Sequence, residues 1–252
     1  MHGVKYYRSV RLRPRHLLRA ARASATQILY GVGGQRRLCP ICGRTSRRFA
    51  PYRRRREAMC VWCSSLERHR LVWSYFQQRT NLFDGSRRRI LHVAPERCFE
   101  PRFRARLGRG YVTADIGDPR ADVHMDVMQL AFPDATFDFV YCSHVLEHVA
   151  DDRRAMREFR RVLKPGGHAV LMVPIIRSDQ TFEDPAITDP RERERAFGQH
   201  DHVRAYGPDY VDRLRDAGFA VDVLDTQALA TPDDVDRMVL SGRVYVCRHA
   251  TA

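Results

Sequence analysis

The sequence predicts an α/β protein with a doubly wound, mostly parallel sheet and a small metal-binding module in front of it. Four short β-rich runs, at residues 90–94, 111–116, 137–142 and 168–173, alternate with segments of helical spacing. Such alternation is typical of βαβ units and of a parallel sheet covered by helices on both faces. Two Cys-x-x-Cys pairs precede the first run. We therefore expect an arm at 1–38, a metal-binding knuckle module with a linking helix at 39–88, and the sheet domain at 89–252.

Charge is distributed unevenly along the 252 residues. Residues 1–89 hold 22 Lys and Arg against 3 Asp and Glu, whereas residues 90–252 hold 22 against 27, so the excess behind the net charge of +14 lies at the front. A basic segment favours nucleic acid, anionic lipid or an acidic partner. Only Lys5 and Lys164 are lysines, and codon usage also explains such an arginine bias. A nucleic-acid partner is therefore an alternative that we do not favour.

The arm at 1–38 contains no acidic residue, and its pattern predicts an amphipathic helix over residues 14–23, before a glycine-rich break at 31–34. Acid-free, Arg-rich N-termini also occur in organelle transit peptides, whereas a secretory signal needs a continuous apolar core that is absent here. No apolar run reaches the roughly 18 residues of a membrane span. We expect a cytoplasmic protein without a transmembrane segment, and the sequence leaves its oligomeric state open.

The two cysteine pairs predict a structural zinc site. Cys39 and Cys42 form the first pair, Cys60 and Cys63 form the second, and seventeen residues separate the pairs. Each pair fits a tight knuckle whose backbone N–H groups point at sulfur, and four thiolates leave no open position for a substrate. A disulfide pair and a thioredoxin-type redox pair are the rivals. Ser64-Ser65-Leu66-Glu67 then resembles a capping box, with Ser64 as the N-cap of a helix that reaches about residue 79.

Candidate ligand-binding residues follow the strands, because ligands of such sheets bind outside the carboxyl ends. They are Ala94, Pro95 and Glu96 after the first run, Asp115 and Ile116 after the second, and Ser143 and His144 after the third. Asp115 lies 23 positions after His92, close to the spacing of about 20 residues at which a ribose-binding acid follows the first turn of a nucleotide-binding unit. A turn-capping role for Asp115 is the alternative.

Three motifs together resemble the class I S-adenosylmethionine (SAM) dependent methyltransferases, in particular the type 11 branch. They span residues 125–140, Ser143-His144-Val145-Leu146-Glu147-His148-Val149 and residues 160–167, and the resemblance covers residues 89–174 well and the tail to about 249 more loosely. It implies a seven-stranded Rossmann-like methyltransferase sheet with SAM as cofactor. By the resemblance, Asp115 holds the ribose hydroxyls, and Asp126 accepts from the adenine amino group, with Val127 and Met128 beside the ring.

The first loop departs from the family pattern. Members usually carry a glycine-rich turn there, whereas residues 92–97 contain no glycine. Ala94 is small enough to stand in for a glycine, Pro95 removes a backbone donor, and Glu96 is placed to meet the ammonium group of SAM. A methyltransferase-shaped scaffold that no longer binds SAM is therefore one of the hypotheses.

Later segments complete the domain. Asp151 is expected to cap a helix that ends at Pro165-Gly166-Gly167, and residues 175–206 form a polar insertion suited to cap a substrate. The last two strands, 219–224 and 243–248, are expected as an antiparallel pair around an acidic loop at 226–242. His144 and His148 could form a metal pair on one helix face; the favoured alternative is that His148 packs, whereas Ser143 and His144 face SAM or the substrate.

Methyl transfer to a hydroxyl calls for a base, and histidines titrate near neutrality. The candidates for this catalytic role are His144, His200 and His202. The favoured function is methyl transfer to a small-molecule or sugar-like acceptor; methylation of RNA is the second hypothesis.

Overall fold

A seven-stranded sheet forms the centre of the protein, which we describe from a computed structural model covering residues 23–249. Numbered in chain order, its strands are β5 (Ile90–Val93), β6 (Tyr111–Asp115), β7 (Val123–His124), β8 (Phe137–Ser143), β9 (Leu163–Met172), β12 (Phe219–Leu224) and β13 (Val244–His249). They are arranged in the order β12-β13-β9-β8-β5-β6-β7. β5 to β9 pair in parallel, and β13 runs antiparallel to both β9 and β12. The predicted fold class is confirmed, including the antiparallel closing pair.

The strand register aligns three of the predicted ligand-binding positions. β5 is completely buried and lies between β6 and β8, and Val93 pairs with Ala114 on one side and with Cys142 on the other. The next residue of each strand is therefore Ala94, Asp115 or Ser143. All three lie side by side at the carboxyl edge of the sheet.

Helices cover both faces of the sheet. They are α1 (Glu67–Gln78), α2 (Glu100–Leu107), α3 (Asp152–Val162), α4 (Pro190–Phe197), α5 (Tyr210–Asp216), α6 (Thr226–Leu229) and α7 (Pro232–Met238). Asp151 caps α3 as predicted, since its side chain accepts a hydrogen bond from Arg154 N–H at 2.8 Å. Two predictions were wrong: the segment 226–242 contains α6 and α7 instead of a loop, and Pro165-Gly166-Gly167 lies within β9 because α3 already ends at Val162.

The N-terminal module packs on the same core as the sheet. It consists of two hairpins, β1 (Arg37–Leu38) with β2 (Thr45–Ser46) and β3 (Ala50–Tyr52) with β4 (Arg55–Met59). Its buried residues share one hydrophobic cluster with α1, α2 and one face of the sheet. This cluster includes Cys39, Ile41, Phe49, Cys60, Trp73, Phe76, Phe99, Phe103, Phe139 and Tyr141. The aromatic side chains stack on one another, as in the pair Trp73–Phe99 with ring centroids 5.8 Å apart.

A buried arginine joins this module to the C-terminal part of the chain. Arg70 is fully buried, and its guanidinium donates to the carbonyl oxygens of Ala58, Ser65, Met238 and Val239 at 2.6–3.1 Å. His69 beside it is also buried. Two of the three consecutive basic residues Arg68-His69-Arg70 therefore lie in the interior, and Arg68 is partly exposed.

The predicted N-cap of α1 was also wrong. α1 begins at Glu67, and the N–H of Leu66 is satisfied by His69 Nδ1 at 3.1 Å. Ser64 instead adopts a φ of 60° and donates its N–H to Cys60 O at 2.8 Å. Ser64 is therefore part of the turn that closes the second cysteine pair and is not the N-cap that the sequence spacing predicted.

The insertion after β9 carries β10 (Phe182–Glu183), α4 and β11 (Arg204–Ala205). Arg204 fixes it to the loop after β8, because its buried guanidinium donates to the carbonyl oxygens of Leu146, Val149 and Ala150 at 2.5–2.9 Å. Most of the predicted arm helix at 14–23 lies outside the described residues; within them, Gln27–Gly31 form a short helical turn. None of the helices in residues 23–249 is both long and apolar enough to cross a membrane.

Candidate functional site

The loop after β5 contains no glycine, yet one of its residues adopts a backbone conformation that is typical of glycine. Ala94 has a φ of 48°, the left-handed region that favours glycine, and its N–H donates to Ala114 O at 2.8 Å. The methyl group of alanine is the smallest side chain that can occupy this position. Ala94 is only partly buried, so the turn remains open beside the ends of β6 and β8.

Glu96 follows this turn and is held by its neighbours. Its carboxylate oxygens lie 2.6 Å from His92 Nε2 and 3.1 Å from the Tyr141 hydroxyl, which donates to it, and the side chain is 16% exposed. Burial raises the pKa of Glu96, but the hydrogen bond and charge of His92 outweigh burial and lower the pKa to about 2. Glu96 is therefore an anion at neutral pH.

The two acids singled out in the sequence are close neighbours. The carbonyl oxygen of Asp115 accepts a hydrogen bond from Met125 N–H at 3.2 Å, and Asp126 is the next residue. Asp115 Oδ1 closes its own turn by accepting from Gly117 N–H and Asp118 N–H, and Asp126 Oδ1 accepts from Met128 N–H. Within residues 23–249, the second oxygen of each carboxylate accepts no hydrogen bond.

Apolar side chains flank these acids. Val127 is buried in the core beneath them, and Met128 packs partly against the same core. Ile116, at the end of β6, is 77% exposed. Ser143, at the end of β8, is buried, and its hydroxyl oxygen has no partner among the described residues. We call Ala94, Asp115, Asp126 and Ser143 the strand-end site.

A cavity of about 480 Å³ lies next to His144 at the same edge of the sheet. It is lined by four ionisable residues of the predicted site region, together with arginines from the N-terminal module. We call it the histidine cavity; its lining includes Tyr52, Arg53, Arg55, Arg68, His144, Glu147, His148, Gln199 and His202. His144 has a φ of 57°, a conformation that turns the chain sharply after β8.

Of the three predicted bases, the structure brings two into this cavity. His144 Nδ1 lies 3.1 Å from Glu147 Oε1, without the geometry of a hydrogen bond. His202 is buried, its Nδ1 is 3.0 Å from Phe197 O, and burial lowers its pKa. His200 is exposed and does not line the cavity.

The sequence analysis did not single out Arg53 and Arg55, which form part of the cavity wall. The turn between β3 and β4 carries Arg53, whose Nη2 donates to Gln199 Oε1 at 3.5 Å, and β4 supplies Arg55, which pairs with Glu67 at 2.7 Å. Arg68 on α1 lines the cavity, and its buried Nε has no partner among the described residues. The excess of arginine before residue 89 was the available signal, but spacing along the chain does not show which arginines meet the sheet.

The four cysteines cluster with the geometry of a tetrahedral metal site. The sulfur atoms of Cys39 and Cys63 are 3.6 Å apart, those of Cys42 and Cys60 are 3.8 Å apart, and all four lie within 4.8 Å of one another. Four ligands at a Zn–S distance of about 2.3 Å around a tetrahedral ion would be about 3.8 Å apart, whereas a disulfide needs about 2.05 Å. Gly43 N–H and Ser64 N–H close the two knuckles by donating to Cys39 O and Cys60 O at 2.8 Å. The donor set fits zinc.

The sheet order and the strand-end acids define an α/β domain of the methyltransferase type. Residues 106–171 match the family model described as a methyltransferase domain, from within α2 to within β9. This match agrees with the resemblance to SAM-dependent methyltransferases that the sequence motifs indicated. The match contains Asp115, Asp126 and Ser143.

Curated relatives share the same region. Phosphoethanolamine N-methyltransferase 3 of Arabidopsis thaliana is 39% identical over 95 residues, or 37% of this chain and 18% of that protein. A demethylmenaquinone methyltransferase of Clavibacter sepedonicus is 31% identical over 118 residues, covering 46% of this chain and 43% of that protein. This chain thus spans less than half the length of either relative.

A solved structure of a SAM-dependent methyltransferase from Mesorhizobium loti is 18% identical, with a TM-score of 0.45 over 71% of this chain and 98% of that one.

Proposed function

We propose that this protein transfers a methyl group from SAM to a small-molecule acceptor that carries an anionic group, with zinc as a structural ion. The observation that supports this most is the position of the histidine cavity. His144 lines it and directly follows Ser143 of the strand-end site, so a bound cofactor and an acceptor would meet at one edge of the sheet.

The strand-end site has the features that SAM requires. The second carboxylate oxygen of Asp115 is available for the ribose hydroxyls, and that of Asp126 for the adenine amino group. The exposed side chain of Ile116 is free to cover the flat base, with Val127 and Met128 on the core side. Glu96 supplies a negative charge for the ammonium group. When bound, SAM supplies a methyl group activated by its sulfonium charge.

The histidine cavity favours a small anionic acceptor. Its volume of about 480 Å³ lies in the range of about 300–1,000 Å³ that is usual for small-molecule sites. Arg53, Arg55 and Arg68 place three guanidinium groups around it, and among residues 23–249 only Arg55 of the three has a carboxylate partner within 4 Å, Glu67. Guanidinium groups recognise carboxylates and phosphates by paired hydrogen bonds. A sugar-like acceptor that bears such a group meets the same requirement.

His144 is the residue that we assign to proton removal from a hydroxyl acceptor. It stands between the strand-end site and the cavity, and the carboxylate of Glu147 lies 3.1 Å from its Nδ1. A carboxylate at this distance from a ring nitrogen stabilises, by its charge, the imidazolium that forms when the base takes up a proton. His202 is the second candidate inside the cavity, and His200 lies outside it.

The four-cysteine cluster would hold zinc as a folding element. Two of its thiols are completely buried, and their strands and turns carry Arg53 and Arg55 to the cavity. A zinc ion bound by four thiolates has no open coordination position and fixes the module in place. A cytoplasmic location, where thiols remain reduced, stays a prediction.

Mass spectrometry of the freshly purified full chain tests the proposal, followed by calorimetry with SAM and S-adenosylhomocysteine. We expect a co-purified adenosyl ligand or binding at micromolar concentration, and one zinc ion per chain in the four-cysteine cluster. A chain that binds neither nucleoside at sub-millimolar concentration would be a scaffold and not a methyltransferase. RNA affinity measured against salt separates the second hypothesis, because each neutralised phosphate releases counterions and steepens the salt dependence.

A further inference from the structure

A second metal-binding cluster lies inside the histidine cavity, separate from the cysteines. Glu147, His148 and His202 each place one potential ligand atom within 4.8 Å of the others. Glu147 and His148 follow β8, whereas His202 comes from the insertion after β9. The imidazole rings of His148 and His202 are nearly perpendicular, with centroids 4.6 Å apart.

The carboxylate of Glu147 is the group that points most clearly to a ligand-binding role for this cluster. Its side chain is only 1% exposed, and neither oxygen has a hydrogen-bond partner among residues 23–249. A buried carboxylate without a hydrogen bond is costly, and buried carboxylates are normally hydrogen-bonded, paired or coordinated to a metal. His144 Nδ1, 3.1 Å away, does not meet hydrogen-bond geometry.

Both histidines are already oriented by outer contacts. His202 Nδ1 donates to the carbonyl oxygen of Phe197 at 3.0 Å, which leaves its Nε2 as the ligand atom. His148 Nδ1 lies 3.3 Å from Asp201 Oδ2. Metal-binding histidines almost always donate their other ring N–H to a backbone carbonyl or a carboxylate, which fixes ring orientation and tautomer. Phe197 O and Asp201 thus orient the two imidazoles that would bind the metal.

The backbone holds the two halves of the cluster together. Val203 N–H donates to Glu147 O at 2.9 Å, and Arg204 donates to the carbonyl oxygens of Leu146, Val149 and Ala150. His202 therefore reaches the Glu147-His148 turn from a segment that is fixed on both sides. Such preorganisation lowers the cost of assembling a metal site.

We propose that Glu147, His148 and His202 bind a divalent first-row transition metal ion, such as Zn²⁺. Two imidazoles and one carboxylate suit zinc, iron, manganese or cobalt, whereas Ca²⁺ and Mg²⁺ prefer oxygen ligands. Three protein ligands leave coordination positions open toward the cavity. If the proposed methyl transfer is correct, an oxygen atom of the acceptor, from a hydroxyl or a carboxylate, fills one of them beside the arginines.

Direct metal stoichiometry on the full chain tests this proposal without relying on activity. After equilibration with Zn²⁺ and removal of excess, we expect two zinc ions per chain in the wild type. We expect one in Glu147→Gln and in His202→Gln, and two in the matched control His200→Gln, whose exposed ring lies two residues from the site. Asp201→Asn should retain the site with a metal affinity about 10–100-fold lower, because it weakens the carboxylate contact that orients His148.

Two further measurements keep the outcome unambiguous. Thermal melting identifies any variant that fails to fold, in which case the more exposed His148→Gln replaces it. Cobalt substitution separates the sites, since only the four-thiolate cluster gives intense sulfur-to-metal absorption. A wild type that takes up a single ion, a Glu147→Gln variant that still binds two, or a site that binds Mg²⁺ but not Zn²⁺ overturns the proposal. SAM affinity measured on the same samples shows separately whether the methyltransferase function stands.

Discussion

Met125 N–H donates a hydrogen bond to Asp115 O at 3.2 Å, and this contact sets Asp126 directly beside the end of β6. Two acids that are eleven positions apart in sequence therefore flank one edge of the sheet. Both carboxylates retain an oxygen without a hydrogen bond inside the described chain. The two acids that the motif resemblance singled out are therefore available to the ligand proposed above.

Asp115→Asn and Asp126→Asn should each weaken SAM binding by about 10–100-fold, since hydrogen bonds to a charged group contribute about 1.5–3 kcal/mol. Asparagine retains an oxygen for the local backbone contacts and removes the charge. Calorimetric titration with SAM measures the effect, and Asp134→Asn, an exposed acid paired with Arg161, is the control. Equal affinities in all four proteins would contradict the assignment.

Cys60→Ser should remove zinc from the four-cysteine cluster and unfold the N-terminal module. Structural zinc contributes about 10–16 kcal/mol in small zinc domains, which exceeds what two short hairpins can replace. Trp62 reports the change, because its indole N–H donates to Thr45 O and Ser46 Oγ within the module. Elemental analysis and tryptophan fluorescence measure the loss. Cys98→Ala, which alters a buried cysteine outside the cluster, should keep its zinc, and a zinc-containing Cys60→Ser protein would refute the site.

Arg70→Lys should destabilise the protein by at least about 2 kcal/mol while zinc remains bound. Lysine cannot reach four carbonyl oxygens from one position, and each buried acceptor left without a donor costs about 1–3 kcal/mol. Urea unfolding at neutral pH measures the change. Arg56→Lys, in an exposed part of β4, should stay within about 0.5 kcal/mol of wild type. Similar midpoints for the two variants would show that the buried contacts of Arg70 contribute little.

Stability should fall as the pH drops from about 6.5 toward 4, in part because of His168. Burial lowers the pKa of His168 to about 4, below its unfolded value near 6.5. Between pH 6.5 and 4, the unfolded chain binds a proton at this residue and the folded chain does not. The stability that neutral His168 contributes is therefore complete above pH 6.5 and is lost as the pH falls toward 4. Replacement of the ring in His168→Leu should reduce the slope of unfolding free energy against pH by up to about 1.4 kcal/mol per pH unit. Urea unfolding at pH 7, 6 and 5 compares the two proteins, and identical slopes would exclude a role for His168.

The elements that local pattern determines were predictable. The β-rich runs gave β5, β6, β8 and the closing strands, and parallel pairing then placed Ala94, Asp115 and Ser143 at one edge. The cysteine spacing likewise predicted a cluster that the sulfur distances bear out. In each case, the information lies within a few residues of the site or in a pairing rule that applies to all such sheets.

Features that depend on tertiary contacts were not predictable. Arg70 reads as part of a polar helix face, yet it is buried because four carbonyl groups from distant segments converge on it. Glu147 reads as one polar residue in a short turn, and only the insertion after β9 brings His202 next to it. The sequence around Ser64 is compatible with a helix N-cap and with a knuckle turn. The structure contains the turn, in which Ser64 N–H donates a hydrogen bond to Cys60 O.

The hairpin formed by β3 and β4 connects the cysteine cluster to the cavity that is proposed to bind the acceptor. In the proposed function, zinc bound at Cys60 holds the base of this hairpin, whereas the tip carries Arg53 to the rim of the cavity. Under that proposal, acceptor selectivity and zinc-dependent folding would depend on different parts of the same small hairpin. Replacing the tip with another sequence of equal length should change which anions are accepted and leave the fold unaltered, so this turn is the natural place to engineer new chemistry into the protein.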